Sequence, residues 1–218
     1  MRTWYSRRVD TETYLRTRWE LTLQKAEATG ASPHLIEEIL EAYSGPGRYY
    51  HVRSHLRHIF ETYDRFFSDP NNVVLELSIW YHDFVYDPKD KDNEERSADI
   101  AVDRIERRLQ VLPNRSSEAK ELILFSRYQR PPTTRNEMIL QDVDLAIFGE
   151  EKSVFDEYER GIRQEYSFVP ETEYKKGRAA ILRRFLRVPF YCTTEMQFSS
   201  YETLAQMNIL KAIDTLSV

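Results

Sequence analysis

The stretch that decides the fold runs from Asn72 to Tyr86 and reads NVVLELSIWYHDFVY. It is apolar almost all round at helical spacing, which predicts a helix buried on most of its faces. His82 and Asp83 follow one another inside this apolar stretch. A buried carboxylate is costly unless it is paired or coordinates a cation, so Asp83 needs a partner. A histidine, an arginine or a metal ion satisfies that need, and the dipeptide alone does not distinguish them.

Helical periodicity continues on both sides of this stretch. Glycine is scarce, with six residues in 218, and the prolines fall at the edges of periodic segments. We predict helices over residues 11–29, 32–45, 52–67, 72–85, 93–112, 116–128, 137–148, 153–166, 171–186 and 199–213. No hairpin dipeptide, strand-like alternation, repeat or linker competes with them. The sequence therefore predicts a single all-α domain, built as a helical bundle.

Composition excludes several classes of protein. The net charge is −5 with acidic and basic residues interspersed, which argues against binding a nucleic-acid polymer by bulk charge. Cys192 is the single cysteine, so neither an intrachain disulfide nor a cysteine-based zinc site is possible. No apolar run approaches the ~18 residues that span a bilayer, and the N-terminal sequence has no signal-peptide core. We expect a cytoplasmic protein without a membrane partner.

Four of the five histidines lie between residues 51 and 82. Histidine is the commonest metal ligand, so this cluster favours a metal site. On the third predicted helix, His55 borders the apolar stripe, His51 lies further round and His58 points furthest from it. The helical phase therefore selects His55 as the histidine that faces the interior. A surface stripe of histidines without a role is the alternative.

The segment MILQDVDLAIF, residues 138–148, supplies a further acid. On a helical wheel Asp144 falls in the middle of the apolar stripe, whereas Asp142 falls on the opposite side. We predict that Asp144 faces the core and, like Asp83, needs a cation.

The predicted ligands are therefore His55, His82, Asp83 and Asp144. Two imidazoles and two carboxylates suit one divalent ion such as Mn, Fe, Co, Ni or Zn better than Ca. A six-coordinate ion keeps positions for water and a substrate oxygen, as catalysis requires.

In their order along the chain, these residues resemble the metal-binding pattern of the HD superfamily of metal-dependent phosphohydrolases. The resemblance covers most of the chain and is closest to a subfamily described only as predicted HD phosphohydrolases. It is carried by YSGPGRYYHVRSHL (43–56), IWYHDFVYDP (79–88), DNEERSA (92–98), LQDVDLAIFG (140–149), RQEYSFVPETEYKKGRAAIL (163–182) and the later Glu202, Ala205 and Asn208.

The resemblance implies an HD-type bundle over residues 1–218. The metal-binding core is expected over about 46–150, with C-terminal helices 151–218 packed on it. It also implies hydrolysis of a small phosphorylated substrate, such as a nucleotide. Dinuclear relatives carry further histidines after the His-Asp pair, and this chain has none after His82. The implied site is therefore mononuclear. Relatives that hydrolyse ppGpp carry Glu-Asp where this chain has Tyr86-Asp87, which argues against that substrate.

We assign catalytic roles to Glu94 and to the ligand Asp83. Glu94 begins the inward-facing stripe of its helix, and a carboxylate there can position a water or carry its proton. The helix dipole also favours an acid in a first turn, so a purely structural role is the alternative. His51 and Arg48 are the predicted substrate-binding residues. The alternative function is a non-catalytic, metal-containing module for ligand sensing or interaction.

Overall fold

The regular structure of the protein is helical. The computed structural model describes residues 9–30, 34–67, 69, 71–186 and 189–217, and no β-strand occurs among them. Its helices are α1 (Thr11–Ala26), α2 (His34–Ala42), α3 (Arg53–Phe66), α4 (Val73–Tyr81), α5 (Asn93–Asp103), α6 (Pro113–Phe125), α7 (Arg135–Asp144), α8 (Lys152–Glu165), α9 (Glu171–Phe185), α10 (Thr194–Gln197) and α11 (Ser200–Leu216). A π-helical turn, Arg104–Arg108, extends α5, and a 3₁₀ turn, Leu145–Gly149, follows α7. The predicted single-domain, all-α fold is confirmed.

Helix α4 lies at the centre of the domain. Eight of its nine residues are buried, and it packs against α1, α3, α5, α6 and α7. Trp80 is fully buried, meets the ring of Trp19 edge-on at 5.2 Å and donates from Nε1 to Thr22 Oγ1 at 3.1 Å. A fully buried aromatic side chain contributes about 3 kcal/mol through burial alone. The apolar helix α4 is therefore the element around which the other helices pack.

A buried acid in α4 is neutralised by α1. Glu76 is fully buried, and its carboxylate accepts from Thr22 Oγ1 at 2.8 Å and from Lys25 Nζ at 2.5 Å. Arg18 Nη2 lies 3.0 Å from the same carboxylate. A buried charge is tolerated when it is paired in this way, so the network fixes α1 against α4.

Helix α4 ends at Tyr81, the residue directly before the His-Asp pair. We predicted that His82 and Asp83 lie within the helix, and this is wrong, because both lie in the turn that follows Tyr81. Arg48 Nη2 donates to the carbonyls of Asp83 and Phe84 at 2.8 and 2.9 Å. Arg48 therefore provides hydrogen-bond donors for two backbone carbonyls of the turn that carries the His-Asp pair.

Other helix boundaries also differ from the predictions. The first helix ends at Ala26, because Glu27 adopts the left-handed backbone conformation with φ 54°. The sixth begins at Pro113, whose ring suits the first position of a helix. The short helix α10 was not predicted, and the predicted helix start at Ser32-Pro33 lies outside the described residues.

The C-terminal helices pack on the turn that follows α7. Helix α11 lies against Leu145–Gly149 and against α9. Asn208 Nδ2 donates to the carbonyls of Phe148 and Glu150, each at 2.9 Å. A Cβ atom at Gly149 would lie only 2.5–2.7 Å from the Tyr191 and Tyr201 side chains, so glycine permits this close approach. None of the helices in the described ranges has the length and apolar character needed to cross a membrane.

A capping box starts α7, the helix that carries Asp144. The side chain of Thr134 accepts from the backbone N–H of Glu137, and the Glu137 carboxylate accepts in return from the N–H of Thr134. Such reciprocal bonds satisfy two free donors at the helix N-terminus. Arg130 also pairs with Glu137, and that hydrogen bond, with others from Thr133 and Thr134, lowers the pKa of Glu137 from 4.5 to about 2.

We expect Glu137→Gln to destabilise the protein by about 2 kcal/mol at pH 7, because hydrogen bonds to a charged group are lost. A pKa lowered in the folded state means that the stabilisation is complete above about pH 4.5 and is lost as the pH falls towards 2. Urea unfolding of both proteins between pH 7 and 3 checks this. A free-energy difference that does not shrink below pH 4.5 would contradict it.

Candidate metal centre

Three of the four predicted ligands form a compact group. His55 projects from α3, His82 from the turn after α4, and Asp144 is the last residue of α7. One ligand atom from each lies within 4.8 Å of the others, and His55 Nε2 is 3.2 Å from Asp144 Oδ1. Asp83 Oδ2 lies 3.1 Å from His82 Nε2 and 3.9 Å from His55 Nε2. All four side chains therefore converge, although their metal binding stays a prediction.

The two imidazoles present unpaired nitrogens to this group. His55 and His82 are 2% and 1% exposed, and the buried Nε2 atom of each has no hydrogen-bond partner. His82 Nδ1 lies 2.9 Å from the carbonyl oxygen of Ile79. A carbonyl only accepts, so Nδ1 carries the proton and the Nε2 lone pair of neutral His82 faces the carboxylates. A divalent cation satisfies both nitrogens, and this donor set fits a borderline ion.

The pKa values of the two carboxylates, Asp83 and Asp144, are lowered by their surroundings. Burial raises the pKa of Asp83 and Asp144, but the neighbouring histidines outweigh it and hold both values below the ordinary range. Burial lowers the pKa of His82, yet the negative charge of Asp83 holds it well above its usual value. A proton on His82 and a divalent cation would therefore compensate the same carboxylate charge.

Tyr128 orients the Asp144 carboxylate. Its hydroxyl donates to Asp144 Oδ2 at 2.6 Å, while Oδ1 faces the two imidazoles. Tyr128 lies just after α6 and adopts a positive φ of 49°, a backbone conformation that bulky residues rarely adopt. Partners of this kind hold a ligand in place and tune its affinity for metal. Sequence periodicity did not identify Tyr128, because its approach to Asp144 depends on how α6 and α7 pack.

Asp142 differs from its predicted environment. We placed it on the side away from the core, but it is only 1% exposed. Its carboxylate accepts from the backbone N–H groups of Cys192 and Thr193, both at 2.7 Å, and from Thr193 Oγ1 at 2.6 Å. The C-terminal segment thus covers the opposite face of α7. Asp142 finds its hydrogen bonds there, whereas Asp144 faces the histidines.

The group opens into a cavity of about 420 Å³. Helices α8 and α9 close its far side, and Tyr50, Tyr86, Tyr128, Tyr158, Tyr166 and Tyr174 supply much of its wall. Its acidic residues are Asp83, Asp90, Glu94, Asp144 and Glu173. The single lysine or arginine among the lining residues is Arg178, which pairs with Glu159 at 2.5 Å. The cavity is therefore aromatic and strongly acidic.

Glu94 lies in the cavity wall, near the start of α5, as its predicted role requires. Arg127 Nε donates to Glu94 Oε2 at 2.9 Å, and this arginine also bonds to Glu95. Glu95, the next acid along the helix, is not among the residues that line the cavity. Both acids bond to Arg127, but only Glu94 lines the cavity.

A buried carboxylate that was not identified from the sequence holds His51 in place. His51 lies before α3, lines the cavity and stacks on Tyr86 with ring centroids 4.1 Å apart. Glu165, which is 4% exposed, accepts from His51 Nδ1 at 2.8 Å and from the Tyr86 hydroxyl at 2.7 Å. It also accepts from the backbone N–H groups of residues 49–51. Only tertiary packing brings α8 to this turn, so the sequence pattern did not reveal the role of Glu165.

Arg48 has a different environment from the predicted one. We expected it to meet the substrate, but it is not among the residues that line the cavity. Its guanidinium donates to the carbonyls of His51, Asp83 and Phe84. It therefore braces the two turns that carry His51 and Asp83.

Comparison with known proteins finds no matching family model, no matching curated protein and no matching solved structure.

The ligand set is checked by metal analysis. We expect about one divalent ion per purified chain and none in Asp144→Ala, because the variant loses a carboxylate that is a proposed metal ligand. Asp142→Asn is the matched control. This variant should keep its metal but unfold at a lower temperature, because it weakens the hydrogen bonds from Cys192 and Thr193. Elemental analysis and thermal unfolding give the two readouts. Full metal occupancy in Asp144→Ala would refute the ligand set.

Tyr128→Phe tests the orienting hydroxyl. We expect metal affinity to fall about 10–100-fold, the usual cost of removing such a partner. Tyr166→Phe, which changes another tyrosine of the cavity wall, should bind metal as the wild type does. Competition with a chelating dye measures both, and equal affinities for the two variants would contradict the role of Tyr128.

Proposed function

We propose that this protein is a metal-dependent phosphohydrolase of the HD type that acts on a nucleotide or another small phosphoester. The observation that carries the proposal is the convergence of two buried imidazole nitrogens, each without a hydrogen-bond partner, with the carboxylates of Asp83 and Asp144 beside a cavity. The ordered sequence pattern of His55, His82-Asp83 and Asp144 supports it independently.

The proposed ligands are His55, His82, Asp83 and Asp144, with one divalent ion. When bound, such an ion supplies Lewis acidity, lowering the pKa of water and polarising a phosphoryl oxygen. The carboxylate of Asp144 is held by Tyr128 and the ring of His82 by the carbonyl of Ile79, so both donors are oriented in advance.

The charge of the cavity supports a metal requirement. Its wall carries five acids, and its only arginine is already paired with Glu159. A phosphate group entering this cavity would meet net repulsion from the side chains. Its negative charge is therefore met by the cation, while the tyrosine-rich wall offers flat apolar surfaces to a base or another ring.

Glu94 is the proposed proton carrier. It lines the same cavity as Asp83 and Asp144, and the Arg127 guanidinium fixes its carboxylate in place. A carboxylate in this position can orient the attacking water and accept its proton. His51, held by Glu165 and Tyr86, is the proposed contact for the substrate. The cytoplasmic setting expected from the sequence stays a prediction.

A screen of nucleotides and simple phosphate esters with added Mn, Co or Ni tests the proposal. We expect metal-dependent release of phosphate or of a nucleoside product from at least one compound. Glu94→Gln should lower kcat about a hundredfold or more while the metal content stays unchanged, because a proton carrier is lost.

Glu95→Gln is the matched control for that variant. It changes the neighbouring acid and its bond to Arg127 but not the cavity wall, so its kcat should stay near the wild-type value. A metal-loaded protein that hydrolyses none of the compounds would count against the enzyme and favour a ligand-sensing module. Equal losses in both variants would show that Glu94 acts only through Arg127.

A further inference from the structure

A second cavity lies on the other side of the wall formed by α8 and α9. Its volume is about 340 Å³, within the range of small-molecule sites. Residues of α8, α9 and α11 line it, and Phe155, Tyr174, Ala212 and Leu216 form its apolar part. Tyr174 lines both cavities, so its side chain belongs to the partition between them.

The two cavities carry opposite charge. Five lysines and arginines line the second cavity, against three acids, in a chain whose net charge is −5. The three acids are all engaged, in the pairs Lys152–Asp156, Arg163–Glu171 and Arg178–Glu159. The remaining cations are Arg160, Lys175 and Lys211, one from each helix, and none has a carboxylate partner in the described part of the chain.

The partition also carries an unsatisfied polar group. Tyr174 is 8% exposed, and its buried hydroxyl has no hydrogen-bond partner. The Arg163 guanidinium lies over its ring, 4.6 Å from the centroid, and is itself fixed by Glu171 and by the carbonyl of Tyr166. A buried hydroxyl without a partner is costly, and Tyr174 shares the lining of this cavity with three cations that have no carboxylate partner.

We propose that this second cavity binds a small anion that combines a phosphate group with an apolar or aromatic part. Arg160, Lys175 and Lys211 meet the phosphate, since charge-assisted hydrogen bonds to its oxygens are among the strongest available. The apolar part packs on Phe155 and Leu216. Tyr174 offers its hydroxyl to the same ligand. Because α8 and α9 also close the first cavity, a ligand here would contact the wall that the two cavities share.

The proposal does not depend on catalysis and is tested by binding alone. Phenyl phosphate is the probe, and calorimetry uses the full chain from which metal has been stripped with EDTA and the EDTA then removed by dialysis. We expect saturable binding of about one molecule per chain. The double variant Lys175→Ala/Lys211→Ala should bind at least about tenfold more weakly, because two charged donors are lost. Tyr174→Phe, which removes only an oxygen without a partner, should fold normally and also bind more weakly.

Lys176→Ala is the matched control. Lys176 is exposed on the same helix but does not line the cavity, so its removal should leave the affinity unchanged. Three results would overturn the proposal: wild-type affinity in the double variant, an equal loss in Lys176→Ala, or binding that is lost when metal is stripped and returns when metal is added back. The last result would place the probe at the metal centre and would favour the proposed hydrolase while removing the second site. Absence of hydrolysis would leave the binding result unaffected.

Discussion

The arrangement of this protein depends on negative charge held at the edge of its core. His82 lowers the pKa of both Asp83 and Asp144, with His51 acting on the first and His55 on the second. The imidazoles of His55 and His82 are buried, and their Nε2 atoms have no other partner. Two carboxylates this close to one another repel unless a proton or a cation lies between them. The surrounding structure holds them there: Tyr128 fixes one carboxylate, and Arg48 braces the turn that carries the other.

The helices around this centre divide space into two cavities of opposite charge. The first is acidic and lined with tyrosines, so it suits an anionic ligand only when a cation is present. The second is basic on the far side of α8 and α9, with Tyr174 in the partition. Both depend on the C-terminal helices, and Asn208 anchors α11 to the turn that follows α7. The C-terminal third of the chain thus shapes the candidate sites as well as covering the core.

Local periodicity predicted the fold class and the burial of His55, since a stripe along one helix is a property of neighbouring residues. Predictions from periodicity failed where contacts with residues distant in sequence hold a turn or bury a side chain. The turn after α4 is held by hydrogen bonds from Arg48 to the carbonyls of Asp83 and Phe84, and Asp142 is buried because Cys192 and Thr193 approach it from the C-terminal segment. The spacing of apolar residues within α4 and α7 does not predict those contacts, because the partners lie elsewhere in the sequence.

The sequence by itself determined an all-α domain with α4 at its centre, and it predicted four metal ligands, three of which form a group that could hold an ion. Tertiary structure decided how those residues meet, which acid faces the histidines, and which tyrosine and glutamate support the site. Tertiary structure alone also created the second cavity, whose unpaired cations come from three separate helices. The physical reason is range: helical phase is set within a few residues, whereas hydrogen bonds, ion pairs and cavities form between segments that only folding brings together.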